Sequence, residues 1–204
     1  MPEVVLFELE DVLFVTGAAR GRALAGALGE HGVTLDPAVI DARCGGLPLP
    51  DAVHAALAVA TADADETLYD LIAFSANRRF LAELAHGVTA APSAFTQIER
   101  FAGRARLGIV TRASRREAAA MMSLASFDRV APFEVTIALE DCVDRKPAAA
   151  PYRLALARLS RRQQVSPRRA LAIESGGSGV RSARAAGLHA IEVSQAALCG
   201  AEQA

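Results

Sequence analysis

The chain has 204 residues, 52% of them hydrophobic, and a formal net charge of −1. That is enough apolar material for a sizeable core, and too little excess positive charge for a protein whose partner is nucleic acid or a membrane surface. Its three cysteines, Cys44, Cys142 and Cys199, form no CxxC or other short spacing. They read as reduced thiols of a cytoplasmic protein, not as a disulfide framework or zinc site. No secretory signal is visible at the amino terminus, and no apolar window approaches the length of a membrane span.

In chain order, Val4-Val5-Leu6-Phe7 comes first. An unbroken apolar run of this kind predicts a strand buried on both faces of a parallel sheet. It ends in Glu8-Leu9-Glu10-Asp11, placing acids where such sheets bind ligands. The chain then turns helical: Ala18–His31, Pro37–Cys44 ending at Gly45-Gly46, Pro50–Ala60 and Asp65–Ala85, with Asp63 or Asp65 as the cap of the last. Strand-like runs return at Leu107–Thr111, Phe133–Ile137, Ala170–Ile173 and Ala190–Val193, separated by helices at Ser114–Ala125, Ala148–Ser160 and Gly179–Ala186.

This alternation predicts βαβ units. The fold expected is therefore α/β: a Rossmann-like, three-layer parallel-sheet core formed by residues 1–16 and 87–204, with an inserted α-helical cap over residues 17–86. A cleft between the two would be the default ligand site. The arginine-rich pieces Arg112–Arg116 and Arg158–Arg169 read as a solvated helix start and a solvated loop.

Four strand ends carry polar groups: Glu8 to Leu13, Thr111, Lys146-Pro147 leading to Tyr152, and Glu174-Ser175-Gly176-Gly177-Ser178-Gly179-Val180. A hydroxyl and an ammonium can hold phosphate oxygens, while a carboxylate can attack or bind a metal. The alternative left open by the residues is that Glu8 and Glu10 are only solvated acids, one of them neutralised by Lys146.

Taken together, the order and spacing of these motifs resemble the haloacid dehalogenase superfamily, in the branch with a helical cap after the first strand, such as the β-phosphoglucomutase-like and phosphoglycolate phosphatase-like proteins. The resemblance runs from Val4 to Val193 and includes Leu13, Thr16, Thr111, Lys146-Pro147, Tyr152, Glu174, Gly179-Val180 and Ala185-Ala186-Gly187. It implies a catalytic set of Glu8 as nucleophile, Glu10 as acid and base, Thr111 and Lys146. It implies substrate contacts at Asp11, Thr111, Arg112 and Lys146, and magnesium ligands at Glu8, Glu10, Glu174 and Ser175. The implied ligand is a small phosphorylated molecule; oligomeric state is not readable.

Several positions depart from the family pattern. Both first-motif aspartates are glutamates, the residues after them are Asp11 and Val12, and the fourth-motif aspartate is Ser175. One extra methylene moves a carboxylate by about an ångström, enough to cost on the order of a hundredfold in rate. Losing a carboxylate ligand weakens any magnesium site, and Glu174 is expected to face away from it. Three readings follow: a phosphatase with impaired catalysis, a non-catalytic phospho-ligand- or protein-binding descendant, and a metal-independent dehalogenase. Arg20, Arg43, Cys44 and His54 are the candidate cap residues.

Overall fold

The computed structural model describes residues 1–60 and 65–193; Asp63 and Cys199 lie outside them. Five strands form one parallel sheet in the order β3-β2-β1-β4-β5, with β1 at Val4–Phe7, β2 at Arg106–Val110, β3 at Phe133–Ile137, β4 at Ala170–Glu174 and β5 at His189–Glu192. All four residues of β1 are fully buried. Central placement explains this: β1 pairs with β2 on one side (Val4 opposite Arg106) and β4 on the other (Val4 opposite Ala170). The architecture is α/β and Rossmann-like.

The helices are α1 (Gly17–Glu30), α2 (Pro37–Cys44), α3 (Leu49–Ala60), α4 (Glu66–Gly87), α5 (Ala94–Phe101), α6 (Arg115–Leu124), α7 (Ala150–Ser160) and α8 (Gly177–Ala185). Local chemistry sets their starts. Asp36 accepts from the Ala38 N–H at 2.7 Å, with Pro37 at the first helical position, and Asp65 accepts from the Leu68 N–H at 2.8 Å. A reciprocal box of Ser114 and Glu117 opens α6. Helix α8 begins two residues earlier than its sequence pattern suggests, and α5 was not expected at all. The latter buries Ala94, Ile98 and Phe101, one stripe of an amphipathic helix.

The chain divides into two units, Met1–Val15 with Thr89–Ala204, and Thr16–Val88. Within the first, the outgoing and returning segments are stitched together: Ala91 N–H donates to Leu13 O at 2.8 Å and Val15 N–H to Thr89 O at 3.2 Å. Its apolar core includes Val4, Leu6, Val110, Ile137, Tyr152, Leu156, Leu159, Ala170 and Ala172. The second unit is helical and has its own core of Leu24, Leu28, Ile40, Val53, Leu57, Ile72 and Ala76. In that unit Cys44 is buried in the core, His54 stacks on Tyr69 at 4.1 Å, and the Arg20 guanidinium lies 3.6 Å from the Phe80 ring centroid. No helix among the described residues is long and apolar enough to cross a membrane.

Candidate active site

The site grows from the alternation of side chains along two neighbouring strands. Val4 and Leu6 share one face of β1, and Ala170 and Ala172, their partners in register, share the same face of β4. Two residues further on, that face brings Glu8 and Glu174 side by side at the carboxyl ends of their strands. Glu8 is 0% exposed and Glu174 2%. Two like charges buried together are costly unless a cation lies between them.

Lys146 supplies that cation. Its Nζ donates to Glu8 Oε2 at 2.9 Å, to Glu174 Oε1 at 2.5 Å and to the Val110 carbonyl at 2.7 Å. An ammonium has three N–H donors, so all of them are engaged. Lys146 reaches this point from the turn before α7, where the Lys146–Pro147 peptide is cis. On α7, Tyr152 is fully buried and its hydroxyl donates to Glu174 Oε1. Glu8 is held from further directions: Leu9 N–H donates to Oε1 at 2.8 Å, and Arg112 Nε lies 3.8 Å from Oε2.

Electrostatics follow from these contacts. Burial pushes the Glu8 carboxyl up, but Lys146, Arg112 and the Thr111 hydroxyl outweigh it and hold Glu8 below the usual carboxylate range. For Glu174 burial wins: its carboxyl lies above the usual value despite Lys146, and the neighbouring Glu8 adds to the rise. Burial would lower the Lys146 ammonium, but Glu174 and Glu8 more than offset it, so it stays protonated more firmly than a free lysine.

Of the residues singled out in sequence, the structure brings Glu8, Thr111, Arg112, Lys146 and Glu174 together. The expectation that Glu174 faces away is overturned: counting by twos from Ala170 puts it on the face of Glu8, and Gly179 leaves room for its carboxylate. Nor is Glu8 solvated. Glu10 is nearly buried and its backbone bridges to Phe14. Asp11 takes a left-handed conformation, φ 57°, which favours glycine and is tolerated best by Asn and Asp. Ser175 is half-buried just beyond β4. Tyr152, whose hydroxyl anchors Glu174, was legible only as part of the Lys146-Pro147 motif.

Among the described residues no group of three or more His, Cys, Asp or Glu side chains is arranged to hold a metal ion. The two carboxylates nearest the strand ends are bridged by an ammonium, and the next residue offers only a hydroxyl. Magnesium needs several short oxygen contacts in near-octahedral array. This set does not fit it.

The model of the haloacid dehalogenase-like hydrolase family matches residues 73–193, more than half of the chain. The chain belongs to this family. No curated protein sequence matches it. Solved structures similar to this haloacid dehalogenase-like chain include a CbbY mutant from Rhodobacter sphaeroides in complex with xylulose-1,5-bisphosphate, with a TM-score of 0.78, 26% identity, and coverage of 95% of this chain and 87% of that one. A protein described as a phosphoglycolate phosphatase from Lactobacillus plantarum matches with a TM-score of 0.77 and 21% identity over 99% of this chain and 90% of its own. β-Phosphoglucomutase from Clostridium difficile matches with a TM-score of 0.77 and 14% identity over 94% and 84%. The last two speak for the fold alone.

Proposed function

We propose that the chain is a phosphatase-type member of its family whose ligands are small phosphorylated molecules and whose catalysis is impaired. One observation carries this reading: the carboxylate at the nucleophile position, Glu8, has no exposed surface and is bound to Lys146, which is itself bound to Glu174. A nucleophile must present an oxygen to the phosphorus in line with the leaving group. Here the extra methylene of glutamate carries the carboxylate inward to the ammonium instead. Glu10, in the acid/base position, carries the same extra length.

The ligand class rests on the structural relatives. CbbY is described in complex with xylulose-1,5-bisphosphate and with phosphate, at 26% identity in each case. In this chain a phosphoryl group has to compete with Glu8 for Lys146, so it is held weakly. The dehalogenase reading loses ground for the same reason, because that chemistry also needs a free carboxylate nucleophile.

The test is turnover by the purified protein of an aryl phosphate with magnesium present, and of 2-haloacids by halide release. Rates at background in both assays are expected. Multiple-turnover phosphatase activity well above background would overturn the proposal.

A further inference from the structure

Three kinds of group that ordinarily hold phosphate oxygens converge on one carboxylate in this protein. The Lys146 ammonium touches Glu8 Oε2 at 2.9 Å, the Arg112 guanidinium lies 3.8 Å from the same oxygen, and the Thr111 hydroxyl acts on the same side chain. Two of the three acceptors of Lys146, Val110 O and Glu174, belong to strand ends. The third, Glu8, arrives from the loop after β1, on the extended arm of a glutamate. A carboxylate and a phosphate face resemble each other: both are planar or near-planar sets of charged oxygens that accept from ammonium and guanidinium donors.

We propose that the Glu8 carboxylate is a built-in oxyanion, occupying the place where the site would otherwise take a phosphate or phosphomonoester. Position 8 is then the residue that decides whether the pocket accepts one. This rests on the ligand class assigned above and deepens it.

Charge supports the assignment. In the ionised cluster the two cations, Lys146 and Arg112, balance the two carboxylates, Glu8 and Glu174. A phosphate entering a balanced, buried cluster brings uncompensated negative charge and finds every Lys146 donor taken. With the Glu8 carboxylate gone, one positive charge is left over and one Lys146 N–H is orphaned in a space roughly the size of the missing side chain. That is a site for an oxyanion. Glu174 stays in place through Tyr152, so Lys146 keeps its position.

The experiment compares the full-length wild-type protein with Glu8→Ala and Glu8→Gln, using inorganic phosphate and tungstate as probes in calorimetry and thermal melting at constant ionic strength. Glu8→Ala is expected to bind phosphate at least tenfold more tightly than wild type, and Glu8→Gln to show a smaller gain because the amide still fills the space. Adding Lys146→Met to either variant is expected to abolish the gain. Acetate, an external carboxylate, is expected to raise the melting temperature of Glu8→Ala more than chloride does.

Equal phosphate affinity in wild type and both variants overturns the proposal, and so does a gain that survives Lys146→Met. Should Glu8→Ala not fold, the Glu8→Gln comparison decides in the same way. Wild-type turnover of aryl phosphate would sink the functional reading above. A missing gain in phosphate affinity with no wild-type turnover would sink this inference alone.

Discussion

Gly179 makes room for Glu174. A Cβ built at position 179 falls against both carboxylate oxygens and the Cδ of Glu174. The glycine in the first turn of α8 is therefore what lets the last residue of β4 turn its charge toward Lys146. Gly179→Ala is expected to destabilise the protein by about 1–3 kcal/mol, the usual cost of forcing an atom into a filled space. In a Glu174→Ala background that cost should fall by on the order of 0.5 kcal/mol or more, because the obstacle has been removed. Denaturant melts of the four proteins check this; a penalty that is the same in both backgrounds would show that Gly179 acts through something other than Glu174.

Lys146 is the hub of the buried cluster, so removing it leaves two carboxylates facing one another. Lys146→Met should cost on the order of 3–5 kcal/mol at neutral pH. The cluster's contribution to the pH dependence should change as well. In the wild type Glu8 lies below its usual value of 4.5, so its contribution is present above that pH and is lost as the pH falls through its folded value. Without the lysine, Arg112 and the Thr111 hydroxyl still favour ionised Glu8, but burial and mutual repulsion weigh more heavily and push both carboxyls up, so the stability gap between variant and wild type should narrow on acidification. Melting temperatures across an acid-to-neutral series distinguish the two behaviours.

A second acid-sensitive contact lies in the helical unit. Glu30 accepts from Arg79 at 2.6 Å and Arg78 at 3.2 Å, and from the Ser75 hydroxyl. The hydrogen bonds of Arg79 and Ser75 bring its carboxyl down from 4.5 to about 2. Its folded pKa is depressed, so it stabilises above about 4.5 and that stability drains away as the pH falls toward 2. Glu30→Gln should flatten this part of the stability–pH curve while leaving the Glu8 cluster untouched; an unchanged acid limb would remove Glu30 from the account.

If longer arms and a missing ligand are what impair the site, shortening the arms and restoring the ligand should repair it. The triple variant Glu8→Asp, Glu10→Asp, Ser175→Asp is expected to raise aryl-phosphate turnover with magnesium by on the order of a hundredfold or more, the scale set by an ångström of misplacement. Each single change alone should do much less, since the three groups act as a unit. A folded triple variant with no gain would mean that the pocket has diverged beyond these three positions.

The sheet was legible because β1 is central: a strand paired on both sides and covered on both faces has to be apolar throughout, and Val4–Phe7 is. The convergence of Glu8, Thr111 and Lys146 was legible because parallel strands deliver their carboxyl ends to one edge. The direction of Glu174 was missed although the information was present: β4 reads Ala170, Ala172, Glu174 on one face, and register with Val4 and Leu6 places that face under Glu8. Helix α5 was missed because no element was read between the end of the insertion and the strand at Leu107, although Ala94, Ile98 and Phe101 recur at helical spacing. What no reading of spacing could supply was the fate of the extra methylene in Glu8, since where a longer side chain settles depends on the partner waiting for it in three dimensions.

The central position of β1 bears also on how the chain is made. The four residues of this strand are made before any other strand of the sheet, yet the first strand they pair with, β2, begins about 100 residues later at Arg106. Throughout that interval the helical unit between them can collect its own short-range contacts while an apolar, unpaired strand waits in water. β1 is enclosed on its other side only when β4 emerges, with β5 still to follow at the edge, so the charged cluster, which needs Glu174 at the end of β4, can form only after most of the sheet has been made.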